Sequence, residues 1–346
     1  MSTVFVVPAG GAPSGGHVYD DRLAGALAAA GRPLRTVAVP GGWPRPDAAA
    51  RARLDGVLAG VPDRSTVLLD GLVACGVPEV VVPHAERLRT VVLVHLPLAD
   101  ETGLDPGTAR DLEEREGRVL RAAAGVVATS AAAAADVAAR HGMERVDAAP
   151  PGVDPAPPSP GTDGASHLLC VASLTPRKGH DVLLDALALV RGPVWSCECV
   201  GPFGDADRVA RLRARAGPLP VRFTGARTGP ALRASYDAAD LLVLPSRMET
   251  YGMVVAEALA RAVPVVATSV SGVPEALGRD PYGRRPGLLV APGDPTALAD
   301  ALRRWLTDEA LRERLRDSAR LRRTNLAGWR ETARAMAAVL DREVSR

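Results

Sequence analysis

Short apolar runs alternate with alanine-rich amphipathic segments along almost all of this 346-residue chain, and this alternation limits the fold more than any other feature. A strand followed by a helix, repeated, is typical of a parallel, doubly wound α/β sheet. In the first half the pattern predicts, in order, strand 4–7, helix 20–30, strand 34–39, helix 48–59, strands 65–70 and 89–95, helix 107–123 and strand 125–129.

The alternation is interrupted by residues 149–164, which are dense in proline, glycine and serine. Such a segment between periodic stretches indicates an interdomain linker. Because single hydrophobic cores stop growing at roughly 250 to 300 residues, two domains are expected for this length. We therefore predict a first domain at 1–150, a linker at 151–164, a second domain at 165–328 and a C-terminal helix at 329–346 that packs back onto the first domain.

After the linker the same alternation resumes, which predicts a second α/β domain with a mostly helical tail from residue 296. The predicted elements are strand 167–173, helix 179–189, strand 195–200, helix 205–216, strand 221–224, helix 229–238, strand 241–245, helix 252–262 and strand 265–268.

The charge balance excludes one class of partner. The 42 basic and 40 acidic side chains leave a formal net charge of +2, which does not fit a polycation that binds nucleic acid. No run reaches the roughly 20 apolar residues of a membrane-spanning helix, and the amino terminus lacks the charged region of a signal peptide. We therefore expect a soluble, cytoplasmic protein without a transmembrane segment or nucleic-acid partner.

Two patterns that could indicate a metal site are better explained without one. Cys197 and Cys199 form a C-x-C pair within an apolar run, and no second pair follows at zinc spacing. Asp205 and Asp207 form a D-x-D pattern, but they stand at a predicted helix start, where carboxylates complement the helix dipole. The sequence therefore predicts no metal and no cofactor.

One candidate anion site lies where a predicted strand ends at Pro245 and a predicted helix opens near Gly252. Backbone N–H groups at a helix start, together with the helix dipole, can bind a phosphate. Glu249 and Glu257, eight positions apart, would repel that phosphate but could accept hydrogen bonds from sugar or ribose hydroxyls. Alternatively, Glu249 caps the helix and Glu257 is a surface residue.

A second strand-to-helix turn, at residues 172–181, carries Lys178, the sole lysine among the 42 basic residues. An ammonium is a compact point charge and a guanidinium a planar fork, so a site that needs the former would retain lysine. Two such turns at the carboxyl ends of parallel strands could face one crevice.

Together these motifs resemble glycosyltransferase family 4, the retaining, nucleotide-sugar-dependent enzymes of the GT-B fold. The resemblance covers essentially the whole chain and is densest between residues 168 and 292. It is carried by the Arg-Lys-Gly turn at 177–179, Phe-Thr-Gly at 223–225, Ala-Asp-Leu at 239–241, Pro-Ser at 245–246, the glutamates at 249 and 257, Pro-Val-Val-Ala-Thr at 264–268, Gly-Val-Pro-Glu at 272–275 and Gly-Leu-Leu-Val at 287–290.

The resemblance implies two Rossmann-like, doubly wound domains with an interdomain cleft, and a role for each matching residue. Lys178 would stabilise the departing diphosphate, and Glu249 would hold hydroxyls of the donor sugar. The family often has an arginine at the position of Ser173, and Arg177 could supply that charge. The remaining donor-binding residues would be Ser173 itself, Thr250, Tyr251, Gly252 and Met253 around the phosphates, Glu257 at the ribose, and Gly225 and Arg227 near the base.

In the first domain, the resemblance points to the glycine-rich stretch 10–16 and to the histidine that ends a predicted strand. Gly15 and Gly16 would approach the donor, and His95 would contact the donor sugar. Glycine-rich turns close many strand-to-helix units, and a histidine at a strand end is often a core residue, so a structural role remains an alternative for each.

The function implied is metal-independent transfer of a sugar, with retention, from a nucleoside diphosphate sugar to a hydroxyl. UDP is the first choice of nucleotide, and a small soluble molecule is the expected acceptor. Two alternatives stay open: a sugar-nucleotide epimerase or a transferase for cyclitol donors on the same fold, and a non-catalytic sugar-nucleotide-binding protein. An NAD-dependent oxidoreductase is disfavoured because residues 10–16 lack the G-x-G-x-x-G spacing.

Overall fold

The computed structural model describes residues 3–10 and 14–344. Gly11, Ala12 and Pro13, which belong to the glycine-rich stretch of the first domain, lie outside the described residues, as do the last two residues of the predicted C-terminal helix. Contacts between Cα atoms group the chain into two compact units, residues 1–152 with 327–346, and residues 153–326.

The first unit contains a six-stranded parallel sheet in the order β2-β1-β3-β4-β5-β6. Its strands are β1 Val4–Ala9, β2 Arg35–Pro40, β3 Thr66–Asp70, β4 Arg89–Val94, β5 Gly125–Ala128 and β6 Asp147–Ala148. Its helices are α1 Gly15–Ala29, α2 Ala48–Ala59, α3 Gly71–Ala74, α4 Pro78–Ala85, α5 Pro106–Ala122, α6 Ala131–His141 and, from the end of the chain, α14 Trp329–Val344.

The core of the first unit is built around buried central strands. All five residues of β3 are buried, as a parallel strand covered by helices on both faces requires. Helices α2 and α5 contribute Leu54 and Leu112 to the same core. The last helix belongs here too, because the Thr332 hydroxyl donates to the Pro150 carbonyl at 2.8 Å.

The second unit contains a six-stranded parallel sheet in the order β12-β11-β10-β7-β8-β9. Its strands are β7 His167–Val171, β8 Ser196–Val200, β9 Val221–Gly225, β10 Leu241–Leu244, β11 Val265–Thr268 and β12 Gly287–Val290. Its helices are α7 His180–Leu189, α8 Ala206–Ala216, α9 Gly229–Asp237, α10 Met253–Ala260, α11 Val273–Leu277, α12 Pro295–Thr307 and α13 Glu309–Arg323.

Alternate residues of the second sheet face two separate apolar cores. Leu168 on β7 packs into a cluster that contains the fully buried Trp305 of α12. Leu169, the next residue, packs into the opposite cluster with Tyr236 of α9. The doubly wound arrangement predicted from the alternation of strands and helices is therefore observed in both units.

The structure differs from the predicted elements at several places. Helix α1 begins at Gly15 rather than at residue 20, because the Ser14 hydroxyl caps it by accepting from the His17 N–H. Helices α3, α4, α6 and α11 and strands β6 and β12 were not predicted. Ser130 caps the first turn of the alanine-rich α6, and the left-handed Gly142 ends it. No helix within the described residues is long and apolar enough to cross a membrane.

Candidate functional site

The two motif-bearing turns of the second unit lie at the point where its strand order reverses. β7 and β10 are neighbours, whereas the chain runs from β7 to β8 and β9 on one side and from β10 to β11 and β12 on the other. In open α/β sheets, ligands bind outside the carboxyl ends of the strands at such a switch point. The predicted site of the second unit therefore falls where this topology favours binding.

The turns after β7 and β10 are in direct contact. Gly179 has a φ of +67°, and a β-carbon there would lie 2.1 Å from the Pro245 carbonyl oxygen. Glycine is thus the residue that allows the two turns to approach so closely. The Arg247 N–H donates to the Arg177 carbonyl at 2.8 Å and fixes the same contact through the backbone.

Lys178 and Glu249 form a nearly buried ion pair across these turns. The lysine Nζ lies 2.5 Å from Oε1 of Glu249, and the two side chains are 16% and 9% exposed. The Ser246 hydroxyl donates to the same carboxylate oxygen at 2.9 Å. Burial raises the pKa of Glu249, but the charges of Lys178 and Arg177 and the two hydrogen bonds outweigh it, so the pKa lies below its ordinary value.

Glu249 therefore does not have the capping role considered for it from the sequence. Among the described residues, no side-chain hydrogen bond caps α10, whose N-cap residue is Gly252, and the Glu249 side chain is buried. A buried carboxylate held by one cation and one hydroxyl keeps acceptor capacity for a further donor. Its geometry is compatible with binding the hydroxyls of a ligand.

Further positive charge surrounds the turn after β7. Arg177 donates to the Met248 carbonyl at 3.4 Å, and Arg247 forms a bidentate pair with Asp181. Arg208 of α8 donates to the Leu174 carbonyl at 2.8 Å. Arg177 was predicted as a site residue from the sequence. Arg208 and Arg247 were not predicted, because neither adjoins Lys178 in the chain.

Ser173 lies half-buried in the loop between β7 and the lysine, and its carbonyl accepts from the Thr175 N–H at 2.8 Å. At the position where the family often has an arginine, this chain thus has Ser173, and its small hydroxyl lies within the candidate site. Arg177, four residues on, is close enough to Glu249 to lower the pKa of that carboxyl.

In the part of the chain that the structure describes, helix α10 begins without a side-chain cap. Gly252 has a φ of +88°, and no side-chain cap satisfies the first N–H groups of the helix within the described residues. Met253 is the first helical residue, and Thr250 and Tyr251 immediately precede the glycine. The first turn of a helix carries N–H groups without intrahelical partners, so this end can bind an anion.

Glu257 lies on the second turn of α10 and is half-buried. Its Oε2 accepts a hydrogen bond from the Tyr236 hydroxyl at 2.7 Å, and the Arg261 guanidinium lies 4.6 Å from the centre of the Tyr236 ring. Glu257 is thus held in place by a buried tyrosine, and it is not the freely solvated helix residue considered as an alternative.

The residues predicted near the base lie at the end of β9 and in the loop that follows it. Gly225 has a φ of +80° and lies against the Phe203 ring. Arg227 is engaged within the protein: its NH1 donates to Ser235 at 2.6 Å and to the buried Glu198 at 3.2 Å. These contacts connect the loop to Ser235 and Glu198. The Arg227 charge is therefore already paired within the protein.

In the first unit, His95 follows β4 and meets two buried carboxylates. Its Nε2 lies 2.9 Å from Oδ1 of Asp20 and 3.8 Å from Oδ2 of Asp70. Asp70 ends β3, next to the switch point between β1 and β3 of this sheet. The sequence analysis did not identify either aspartate, because the contacts join α1, β3 and β4.

The two carboxylates favour a protonated imidazole. Burial lowers the pKa of His95, but the charges of Asp20 and Asp70 and the hydrogen bond with Asp20 outweigh it and raise the pKa to about 9. Burial, followed by the charge of Asp20, raises the pKa of Asp70 to about 7, although the charge of His95 opposes this rise.

Gly15 and Gly16 are the first two residues of α1 rather than parts of an open loop. A β-carbon at Gly16 would lie 3.3 Å from Cδ2 of His95, so the start of the helix packs tightly on the imidazole ring. Tyr19, one turn later, makes an edge contact with the same ring at 5.1 Å. The glycines thereby help to position His95.

The second unit also matches a known protein family. Residues 165–308 match the family described as glycosyl transferases group 1. D-inositol 3-phosphate glycosyltransferases from Pseudarthrobacter chlorophenolicus and Jonesia denitrificans are each 32% identical to the chain, over 73% and 69% of its length. The second unit therefore contains a glycosyl transferases group 1 domain. The chain spans 63% and 62% of the length of these two relatives.

Solved structures extend the similarity in fold to almost the whole chain. A sucrose-phosphate synthase from Thermosynechococcus elongatus has a TM-score of 0.76 at 22% identity and covers 99% of this chain and 98% of its own. The Anabaena protein HepE, solved in complex with UDP and glucose, has a TM-score of 0.74 at 19% identity, over 99% of each chain. The predicted GT-B fold class is confirmed.

Proposed function

We propose that this chain transfers a sugar from a nucleoside diphosphate sugar to an acceptor hydroxyl, with retention of configuration at the anomeric carbon. The observation that carries the proposal is the Lys178–Glu249 pair beside the uncapped start of α10, at the switch point of the second sheet. A cation, the backbone amides of a helix start and a carboxylate meet there, which suits a ligand that combines phosphates with hydroxyls.

Lys178 is proposed to stabilise the departing diphosphate. Negative charge builds up on the leaving group during transfer, and a fixed cation in a nearly buried site stabilises it far more than it would in water. Arg177 is proposed to add to this charge in place of the family arginine at the position of Ser173. With these cations and the amides of Thr250 to Met253, no metal ion or other cofactor is required in the proposed step.

Glu249 is proposed to accept hydrogen bonds from hydroxyls of the transferred sugar while it holds Lys178 in position. Glu257 is proposed to bind the ribose, and the loop from Gly225 to Arg227 to lie near the base. In the first unit, His95, positioned by Gly15 and Gly16, is proposed to contact the donor sugar. The raised pKa of His95 makes the imidazolium a hydrogen-bond donor at neutral pH.

For the donor, a UDP-sugar is our first choice, supported by the complex of the similar Anabaena protein with UDP and glucose. For the acceptor, we propose a small soluble hydroxyl compound. The relatives named D-inositol 3-phosphate glycosyltransferases make D-inositol 3-phosphate the first acceptor to test.

Calorimetric titration of the purified chain with UDP, GDP, ADP and NAD, each with excess EDTA, tests the proposal. Selective binding of one nucleoside diphosphate without metal is the expected result. If none of the three diphosphates binds, or if NAD alone binds, the proposal is contradicted. Incubation with the matching nucleotide sugar and acceptor then separates a transferase from an epimerase or a binding protein, because only the transferase yields a glycosylated acceptor.

A further inference from the structure

Three residues that are distant in the chain place metal-binding atoms together inside the second unit. Cys170 on β7 is the register partner of Cys199 on β8, so both thiols lie side by side on one face of the parallel sheet. His180, the first residue of α7, lies over that face, with its Nε2 3.8 Å from Sγ of Cys170. One ligand atom from each of the three residues lies within 4.8 Å of the other two.

This cluster is deeply buried. His180 and Cys170 have no exposed surface, and Cys199 is 1% exposed. The thiols belong to the apolar core around Trp305. Nδ1 of His180 is buried and has no hydrogen-bond partner among the described residues. The other ring nitrogen, Nε2, is the one that faces the Cys170 thiol, and it is the imidazole atom available to a metal ion there.

A fourth sulfur lies nearby. Cys197 stands two residues before Cys199 on β8, and side chains two apart along a strand share one face. Its thiol interacts with that of Cys199. The C-x-C pair, which has no zinc-spaced partner in the sequence, thus meets a third cysteine and a histidine through the fold.

We propose that Cys170, Cys199 and His180 form a structural site for a thiophilic divalent cation of the zinc class. In a tetrahedral zinc site with Zn–S bonds of about 2.3 Å and Zn–N bonds of about 2.0 Å, neighbouring ligand atoms lie about 3.5 to 3.8 Å apart. The three ligand atoms lie within 4.8 Å of one another, so they reach this geometry if their separations shorten by about 1.3 Å or less.

Charge balance favours the same ion. Two thiolates neutralise a divalent cation, and a neutral imidazole adds no charge, so the complex can be buried without the large cost of an isolated charge. Carboxylates would be required for a hard cation such as magnesium, and the ligands here are sulfur and nitrogen.

The ion would connect the first turn of α7 to β7 and β8. Lys178 stands two residues before His180, so the same connection would restrain the turn that carries the lysine. The site is structural, because its ligands take no part in the Lys178–Glu249 contacts. This inference does not depend on the transferase activity.

The test uses the full chain, freed of metal by a chelator and checked for its fold by circular dichroism. Titration with cobalt(II) is expected to produce a thiolate-to-cobalt charge-transfer band that saturates at one ion per chain and is displaced by zinc. The melting temperature should rise with added zinc, because a ligand that binds the folded state stabilises it. Cys75→Ser, which alters a buried cysteine of the other unit, should retain the band.

Cys199→Ser and His180→Asn should each weaken cobalt binding by at least tenfold. A folded wild-type chain that gives no charge-transfer band would overturn the proposal, and this result does not depend on whether the variants fold. An unchanged band in both folded variants would also overturn it.

Discussion

Lys178 combines two properties at the scale of the single residue. It is the sole lysine of the chain, and its ammonium is held by Glu249 at the contact between two turns. Breaking a buried ion pair by removing one partner leaves an uncompensated charge, so the pair can have a structural as well as a catalytic role. Separate measurements of turnover, donor binding and stability distinguish these roles.

Lys178→Ala is expected to lower turnover by roughly 10²- to 10³-fold, because a group that acts on charge developing in the transition state contributes on this scale. The dissociation constant of the donor should change much less. Steady-state kinetics and calorimetry measure the two quantities. Arg191→Ala removes an exposed positive charge from the same unit and should leave both unchanged. Equal losses of turnover and donor affinity, together with a lower melting temperature, would support a structural role instead.

His95 shows how two buried carboxylates set the protonation state of one imidazole. Its pKa rises to about 9 in the folded protein, against an ordinary value of 6.5. A raised histidine pKa contributes stability that is fully present below about pH 6.5 and is lost as the pH rises through 9. The stabilising contribution of the imidazolium should therefore disappear once the pH exceeds about 9.

The melting temperatures of the wild type and His95→Gln are expected to differ more at pH 7 than at pH 10, because the wild type loses the imidazolium between these values. Thermal unfolding followed by circular dichroism at both pH values measures the difference. His84→Gln, at a half-buried histidine of the same unit, serves as the matched control. A difference that stays constant or grows with pH would show that His95 is neutral in the folded protein.

At the scale of the element, helix α14 completes the first unit although it comes last in the chain. Its Met336 is fully buried, and Val339 and Leu340 are each 3% exposed. Trp329, at its start, makes an edge contact with Tyr19 of α1 at 5.7 Å. The helix thus contributes a continuous apolar stripe to a core that the first 152 residues do not complete by themselves.

Met336→Ala should lower the free energy of unfolding by about 2 to 5 kcal/mol, because truncation leaves a cavity in a packed core. Denaturant unfolding measures the change. Arg334→Ala, on the exposed face of the same helix with its side chain 65% exposed, should change it by no more than about 0.5 kcal/mol. Similar effects of both substitutions would contradict the packing of α14 described here.

At the scale of the whole molecule, two similar sheets have different strand orders. The first places β1 and β3 side by side at its switch point, and the second places β7 and β10 there. Different side chains lie at the two switch points. The first unit has an imidazole with two carboxylates there, and the second unit has a lysine with a glutamate.

If the whole protein follows the proposed mechanism, the anomeric configuration of the first-formed product will be that of the donor. The reason is that the acceptor would attack from the face that the diphosphate leaves. Proton NMR of the initial product, compared with both synthetic anomers, measures this. An inverted product would contradict the proposed retention while leaving sugar transfer intact.

Much of the second unit could be predicted from local patterns. Its motifs lie in continuous strand-turn-helix segments, and strand order brings the two turns together at one sheet edge. The sequence also places Asp205 at a helix start, and the structure shows it capping α8 by accepting from the Asp207 N–H. Local turn chemistry and hydrophobic period act over a few residues, so they can be read directly from the chain.

The sequence by itself determined the doubly wound class of both sheets and, to within a few residues, the bounds of most elements that it predicts. Only the tertiary structure brought Asp20 and Asp70 to His95, and Cys170 and His180 to Cys199. The physical reason is that these groups meet across different strands and helices. Their pairing depends on strand order and register. The residues next to each of them in the chain do not indicate it.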